Sequence, residues 1–178
     1  MHKDDETHQH SSRVARLARA FGKVCGLDSG DLSTLEIAAC LHDIGKIGIP
    51  DVVLCKPAKF DTDDWSLMYK HPERGEDIIL ALQLEHCSAI ASTVRHHHEY
   101  FDGTGYPDKL VAEDIPYLAR IVSIVDSYDA MTFRRPHQKP KTHAETMDVL
   151  FDEEGSKSDP YLFRKFLHFI KHSSLRAQ

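Results

Sequence analysis

Apolar positions along this chain recur at the three-to-four-residue spacing of amphipathic helices, and nowhere with the sustained alternation of a strand. The first such stripe is Val14, Leu17, Ala18, Phe21 and Cys25. It predicts a helix over 8–25, with Arg13, Arg16, Arg19 and Lys23 largely on its wet side and Gly26 ending it. A second helix, capped by Ser29 or Asp31, runs through Leu32, Leu35, Ile37, Ala38, Ala39 and Leu41 to Ile44-Gly45. Gly48, Pro50 and Pro57 make 47–60 a loop. Thr62 is expected to cap a helix over 63–70, and Pro72 to open another over 73–82. Residues 86–99 form a further helix with Ile90, Ala91 and Val94 as its core stripe. Asp102 to Asp108 are turn-formers and read as a rigid loop. After Pro116 the stretch Leu118 to Met131 is almost continuously apolar, so this helix is expected to lie at the centre. Amphipathic helices near 143–153 and 159–172 complete an all-α bundle of about seven helices.

The 178 residues fit one domain, with 6–140 as its core and 141–178 as C-terminal helices. The chain begins almost inside its first helix, which suggests a piece of a longer regulator. Hydrophobic residues at 41% and charged residues at 28% describe a globular chain with no apolar run long enough for a membrane helix. A net charge of −6 leaves no basic face for duplex nucleic acid, so an anionic substrate needs metals, Lys or Arg placed locally. Cys25, Cys40, Cys55 and Cys87 are widely spaced and read as small buried hydrophobes in a reducing cytosol. Thirteen histidines are many for this length and point to metal, although His2, His8 and His172 read as solvated.

The candidate chemistry centres on Leu41-His42-Asp43-Ile44-Gly45-Lys46. Adjacent His and Asp offer an imidazole nitrogen and a carboxylate that can bridge two ions, a donor set suited to Fe, Mn or Zn. Lys46 supplies a fixed positive charge that could meet a phosphate. His97 and His98 could both reach one cluster from a helix end. The plainer account of them is a polar terminus. Asp126, in an apolar helix, needs a partner: a metal, or an ion pair with Arg120 or Arg95. His71 precedes Pro72 and could simply cap a turn. Glu6 and His10 share the face that continues through Val14 and Leu17, so that face points inward; the alternative for them is a frayed terminus.

These residues carry a resemblance. His42-Asp43-Ile44-Gly45-Lys46-Ile47-Gly48-Ile49-Pro50-Asp51, His97-His98-Glu99, Asp102-Gly103-Thr104-Gly105-Tyr106-Pro107, Ile115-Pro116, Ala119-Arg120-Ile121-Val122 and Asp126-Ser127-Tyr128-Asp129-Ala130-Met131-Thr132 resemble the HD-GYP family over about residues 6 to 140. The resemblance implies an HD-superfamily helical bundle with a short irregular Gly-Tyr-Pro loop. It implies a bacterial, cytoplasmic, metal-dependent phosphodiesterase that converts cyclic di-GMP to pGpG and in some cases to GMP. By motif position it assigns metal ligands to Glu6, His10, His42, Asp43, His71, His97, His98 and Asp126. Two or three divalent ions follow, with Fe or Mn favoured by the mixed His and carboxylate set. Bridged metals can bind phosphate and activate water. Asp43 would bridge, and Lys46 would stabilise phosphate charge or the nucleophile. Tyr106 would line the mouth and contact a substrate phosphate or base, and Arg135 would clamp a phosphate or guanine edge. Asp102, on the substrate side, is expected to fix the loop through a turn hydrogen bond. The resemblance also implies contact of the Gly-Tyr-Pro loop with diguanylate cyclase (GGDEF) domains, and an upstream sensor or receiver domain. The chain departs from the family pattern on the substrate side. Arg135-Pro136-His137-Gln138 replaces Arg-Pro-Tyr and a basic residue, Ala112-Glu113 replaces Gly-Glu, and Lys157-Ser158-Asp159-Pro160 replaces His-Phe-Asp-Pro. Gln138 is therefore a neutral member of the expected substrate clamp. Two rival functions are a weakly active ligand-sensing or docking module, and an HD hydrolase of another nucleotide ester.

Overall fold

A computed structural model describes residues 2–83, 87–133 and 139–177, and side chains from residue 7 onward. Among the described residues there are nine α-helices and no strand beyond an isolated bridge between Glu154 and Ser158. They are α1 (His2–Val24), α2 (Ser29–Leu41), α3 (Asp51–Leu54), α4 (Thr62–Met68), α5 (His71–Ala81), α6 (Cys87–His96), α7 (Tyr117–Thr132), α8 (His143–Asp152) and α9 (Pro160–His172). The excess over seven includes a single short turn, α3, inside the segment expected to be loop. A 3₁₀ turn over Ile44–Gly48 precedes it.

Local chemistry sets the boundaries. α1 ends as expected, with Gly26 in the left-handed region at φ +84° and Leu27 N–H donating to the Gly22 carbonyl. The cap of α2 is Asp28, one residue before the expected pair: its carboxylate accepts from the Asp31 N–H at 2.9 Å. Asp61 rather than Thr62 caps α4, and Asp64 returns the bond to form a capping box. α6 stops at His96, three residues short of the expected end, and His97-His98 stand in the turn that follows.

Two apolar cores result. The larger packs Val14, Leu17, Ala18 and Phe21 of α1 and Leu35 and Ala39 of α2 around Ile121, Val122, Ile124, Val125 and Tyr128 of α7, closed by Leu150 of α8 and Phe163, Phe166 and Ile170 of α9. The smaller joins Ala38 of α2 to Ile79 of α5 and Ile90, Ala91 and Val94 of α6. α2 thus serves both cores, and its C-terminal end points between them. α7 is buried nearly all round, as its unbroken apolar run requires. Of the cysteines only Cys87 is buried, while Cys40 and Cys55 are exposed; both lie outside the two apolar cores.

Candidate metal centre

His42 is the C-cap of α2, and Asp43 begins the 3₁₀ turn. The turn lies close against α5 because residue 45 is glycine; a Cβ there would overlap the His71 carbonyl and the Gly75 amide. Three histidines are oriented by one device. Nδ1–H of His42, His71 and His97 donates to the carbonyl three residues earlier, Ala39 at 2.7 Å, Met68 at 2.8 Å and Val94 at 2.6 Å. With Nδ1 so used, each ring turns Nε2 inward as a lone-pair donor, the tautomer a metal ligand needs. All three residues are 1% exposed.

Asp43 divides its two oxygens. Oδ1 lies 3.4 Å from His71 Nε2, and Oδ2 lies 3.5 Å from His42 Nε2 and 2.6 Å from Lys46 Nζ. Two donor groups therefore share this carboxylate. One is Asp43, His71, His97 and His98; the other is His10, His42 and Asp43, each with ligand atoms within 4.8 Å of one another. Asp126 Oδ1 joins the second group, 3.1 Å from His10 Nε2 and 3.7 Å from His42 Nε2. His10 Nε2, His42 Nε2 and Asp126 Oδ1 are buried and make no aligned hydrogen bond. His10 Nε2 and Asp126 Oδ1 face each other as an ion pair, and His42 Nε2 has no hydrogen-bond partner, an arrangement that costs free energy in a protein interior. A cation between them removes that cost, so the residues fit divalent metal.

The wall supplied by α1 and α7 holds two residues whose part in the site the apolar spacing does not reveal. Asp129, one turn beyond Asp126, accepts from His10 Nδ1 at 2.7 Å. It also accepts from Arg13 Nε at 2.8 Å and Arg13 Nη2 at 2.9 Å. A carboxylate so placed fixes the orientation of the His10 ring, as carboxylates do behind metal-ligating histidines. Arg13, expected on the wet side, is instead turned onto Asp129 and lies 3.9 Å over the Phe133 ring. The pairs His10/Arg13 and Asp126/Asp129 each have i,i+3 spacing on facing helices, and that was the available signal. The ion pairs considered for Asp126 are taken elsewhere: Arg120 binds Asp159 at 2.7 Å, and Arg95 binds Asp108 and Glu76.

The electrostatics separate the two groups. Burial pushes His71 down to about 4 and His98 to about 3, aided by neighbouring imidazoles and, despite Asp43, by Lys46. Burial, then His98, His42 and His71, likewise hold His97 well below the imidazole range. These three stay neutral, the form in which an imidazole can bind a metal. Burial would raise Asp43, but Lys46 and the surrounding histidines overcome it and hold the carboxyl well below its usual range. Asp126 is lowered the same way, against burial, chiefly by His10. Burial would lower His10, yet the carboxylates of Asp126 and Asp129 raise it to about 9, so without metal it is an imidazolium between two carboxylates.

The Gly-Tyr-Pro loop closes one side. Gly105 passes so near the Tyr100 amide and the His98 carbonyl that a Cβ would overlap both. The Tyr106 ring stacks on His98, centroids 5.0 Å apart, and touches Tyr69 at 4.5 Å. Asp102 faces its own loop: it accepts from Thr104 N–H at 2.9 Å and Thr104 Oγ1 at 2.7 Å. Buried Glu99, quoted in the motif but given no task, accepts from the N–H groups of Asp108, Lys109 and Leu110 at 2.6, 3.0 and 3.1 Å. Arg135 and Gln138 lie outside the described residues, as does the Glu6 side chain, although the Glu6 backbone is in α1.

Residues 2–162 match the model of the HD domain. The cyclic di-GMP phosphodiesterase response regulator RpfG of Xanthomonas campestris is 36% identical over 89% of this chain and 42% of its own length. A 3′3′-cGAMP-specific phosphodiesterase of Vibrio cholerae is 34% identical over 97% of this chain and 33% of its own. This chain thus spans between a third and a half of the length of these relatives. Among solved structures, an HDG"Y"P protein of Bdellovibrio bacteriovorus superposes with a TM-score of 0.73 at 23% identity, over 93% of this chain and 52% of that one.

Proposed function

The chain belongs to the HD domain family, on its HD-GYP branch, and from that premise we propose that it is a metal-dependent phosphodiesterase that linearises cyclic di-GMP to pGpG, with GMP as the product of any second cleavage. The observation that supports this most is the divided Asp43 carboxylate, shared by two donor groups. The names of the relatives, cyclic di-GMP and 3′3′-cGAMP phosphodiesterases, point to the same substrate class.

In this reading Asp43, His71, His97 and His98 would hold one ion, and Asp43, His42, His10 and Asp126 the next, with Fe or Mn favoured by the donor set. Glu6 and His10, one turn apart on α1, would complete a third position. When bound, the ions supply Lewis acidity toward phosphate and lower the pKa of water. The chain's own residues orient and charge-match. Carbonyl-anchored imidazoles fix donor directions, and Asp129 holds His10. Lys46, 2.6 Å from Asp43, places a cation where phosphate charge develops. Hydrolysis joins a water oxygen to phosphorus, breaks one P–O bond to ribose and returns a proton to the leaving oxygen. Arg135 and Gln138 would meet the far phosphate or a guanine edge, and Tyr106 and the loop fixed by Asp102 would close the mouth. Docking of that loop on a diguanylate cyclase domain, control by a sensor or receiver domain, and a bacterial cytoplasmic setting belong to the same reading. No helix of the described residues is long and apolar enough to cross a membrane.

The test is turnover by protein purified without oxygen and loaded with Mn or Fe, with products separated by chromatography. Cyclic di-GMP, 3′3′-cGAMP and a linear nucleotide ester are compared. Linear products from the cyclic dinucleotides support the reading. Hydrolysis of the linear ester alone would make the chain another kind of HD nucleotide hydrolase. Tight binding without turnover would make it a sensor.

A further inference from the structure

Two aromatic side chains beside the metal centre have no part in either apolar core. Trp65 and Tyr69, one turn apart on α4 and at its C-cap, are each 45% exposed. Their rings stack at 5.5 Å and 28°. Phe60 packs edge-on against Trp65 at 5.3 Å. On the inner side Tyr69 touches Tyr106, whose ring stacks on His98, so two ring-to-ring steps of 4.5 and 5.0 Å connect Tyr69 to a member of the His cluster. The row is held firmly. Asp61 and Asp64 form the capping box of α4, and Lys56 Nζ binds both carboxylates. Large aromatics left half in water on a fixed helix, within two ring contacts of a buried His cluster, mark a place for a partner rather than a core that failed to close.

We propose that Trp65 and Tyr69 form a stacking platform for a purine base of the substrate, whose phosphate lies at the Asp43 centre; this rests on the phosphodiesterase reading. The Tyr106 ring is already engaged by His98 and Tyr69, and Tyr69 in turn by Tyr106 and Trp65, which leaves the exposed indole of Trp65, backed by Tyr69, to receive the base. Base-on-aromatic stacking tolerates either purine, because each presents a π-face. The platform therefore supports binding of cyclic di-GMP and 3′3′-cGAMP alike, and leaves the choice between them to edge contacts elsewhere.

Trp65 is the one tryptophan in the sequence, so its emission reports on the platform alone. A phosphorothioate analogue of cyclic di-GMP, titrated into Mn-loaded protein, should quench that emission saturably. With cyclic di-GMP as substrate, Tyr69→Leu and Trp65→Leu should each raise KM about tenfold, toward the low end of what a stacked base contributes. Their kcat should stay within about twofold, and metal content should not change. Tyr69→Phe and Tyr69→Trp should restore KM, which a merely structural loss would not predict. Unmoved emission and unchanged KM in an otherwise active enzyme overturn the platform and leave the phosphodiesterase reading standing. A variant that loses metal and kcat together also overturns it, because the ring would then be a prop for Tyr106 and His98. If the unsubstituted protein neither binds nor cleaves any cyclic dinucleotide, the functional reading falls and the platform with it.

Discussion

Asp43 is the residue on which both donor groups depend, since one oxygen serves each. Among the described residues no other carboxylate is placed to do this. Asp126 reaches only the His10 and His42 side. Asp43→Ala should therefore lower metal content at both positions and abolish turnover; full metal content by elemental analysis would refute the bridging role. Lys46 is a different case. Its ammonium pairs with Asp43 at 2.6 Å, but it offers no lone pair to a metal. Lys46→Ala should keep the ions and lose roughly 2.7–4 kcal/mol of transition-state stabilisation, as loss of one preorganised electrostatic donor does. The measurement is kcat at fixed metal occupancy. Loss of metal in that variant would show that Lys46 mainly stabilises the Asp43 carboxylate.

At the scale of elements, the site follows from where helices stop. α2 spans both cores and ends just before His42-Asp43, and α6 ends one residue before His97. Glu99 then turns the chain by holding three consecutive amides of the loop. Arg95 and His96 hold Asp108 from the other side, with Arg95 Nε at 2.6 Å and His96 Nε2 at 2.9 Å. Glu99→Gln keeps the shape but exchanges an acceptor oxygen for a donor facing N–H groups. That should destabilise by about 1–3 kcal/mol, the cost of buried groups left unsatisfied. It should also speed hydrogen exchange at 108–110 and leave α1 unaffected. Unchanged exchange there would show that the Arg95–Asp108 pair alone suffices. Much of this was legible in the sequence. The helices came from apolar spacing, and the inward face of α1 came from the register of His10 with Val14 and Leu17. Glu99, Asp129 and Arg13 were not legible as participants, because each acts through a partner distant in sequence. Asp129 meets Arg13 across 116 positions, and no periodicity along one helix encodes that pairing. Caps shifted by one residue at Asp28 and Asp61 for a related reason: several capping side chains stood adjacent, and only backbone geometry selects among them.

For the molecule as a whole, the centre sets an opposition of charges that should shape stability when metal is removed. His10 is raised to about 9 by Asp126 and Asp129 despite burial, while His71 and His98 are lowered to about 4 and 3 chiefly by burial. Between the usual imidazole value and about 9 the folded chain holds a proton on His10 that the unfolded chain has released. Stability in that window falls as pH rises. Below the usual imidazole value the unfolded chain takes up protons that His71 and His98 refuse when folded, so stability falls as pH drops toward their folded values. The depressed Asp43 and Asp126 add to the acid-side loss at lower pH. The metal-free protein should therefore be most stable near the ordinary imidazole pKa of about 6.5, with the two limbs arising from opposite walls of the site. His10→Asn should flatten the alkaline limb and leave the acid limb in place. Saturating Mn should oppose the alkaline fall, because ions need His10 neutral and stabilise the fold by binding it. Urea denaturation between pH 5 and 9.5, with and without chelator, measures all three. A metal-free stability that rises steadily to pH 9 would show that His10 is not an imidazolium there, and that Asp126 and Asp129 are neutralised by some other cation, with Arg13 as the nearest candidate.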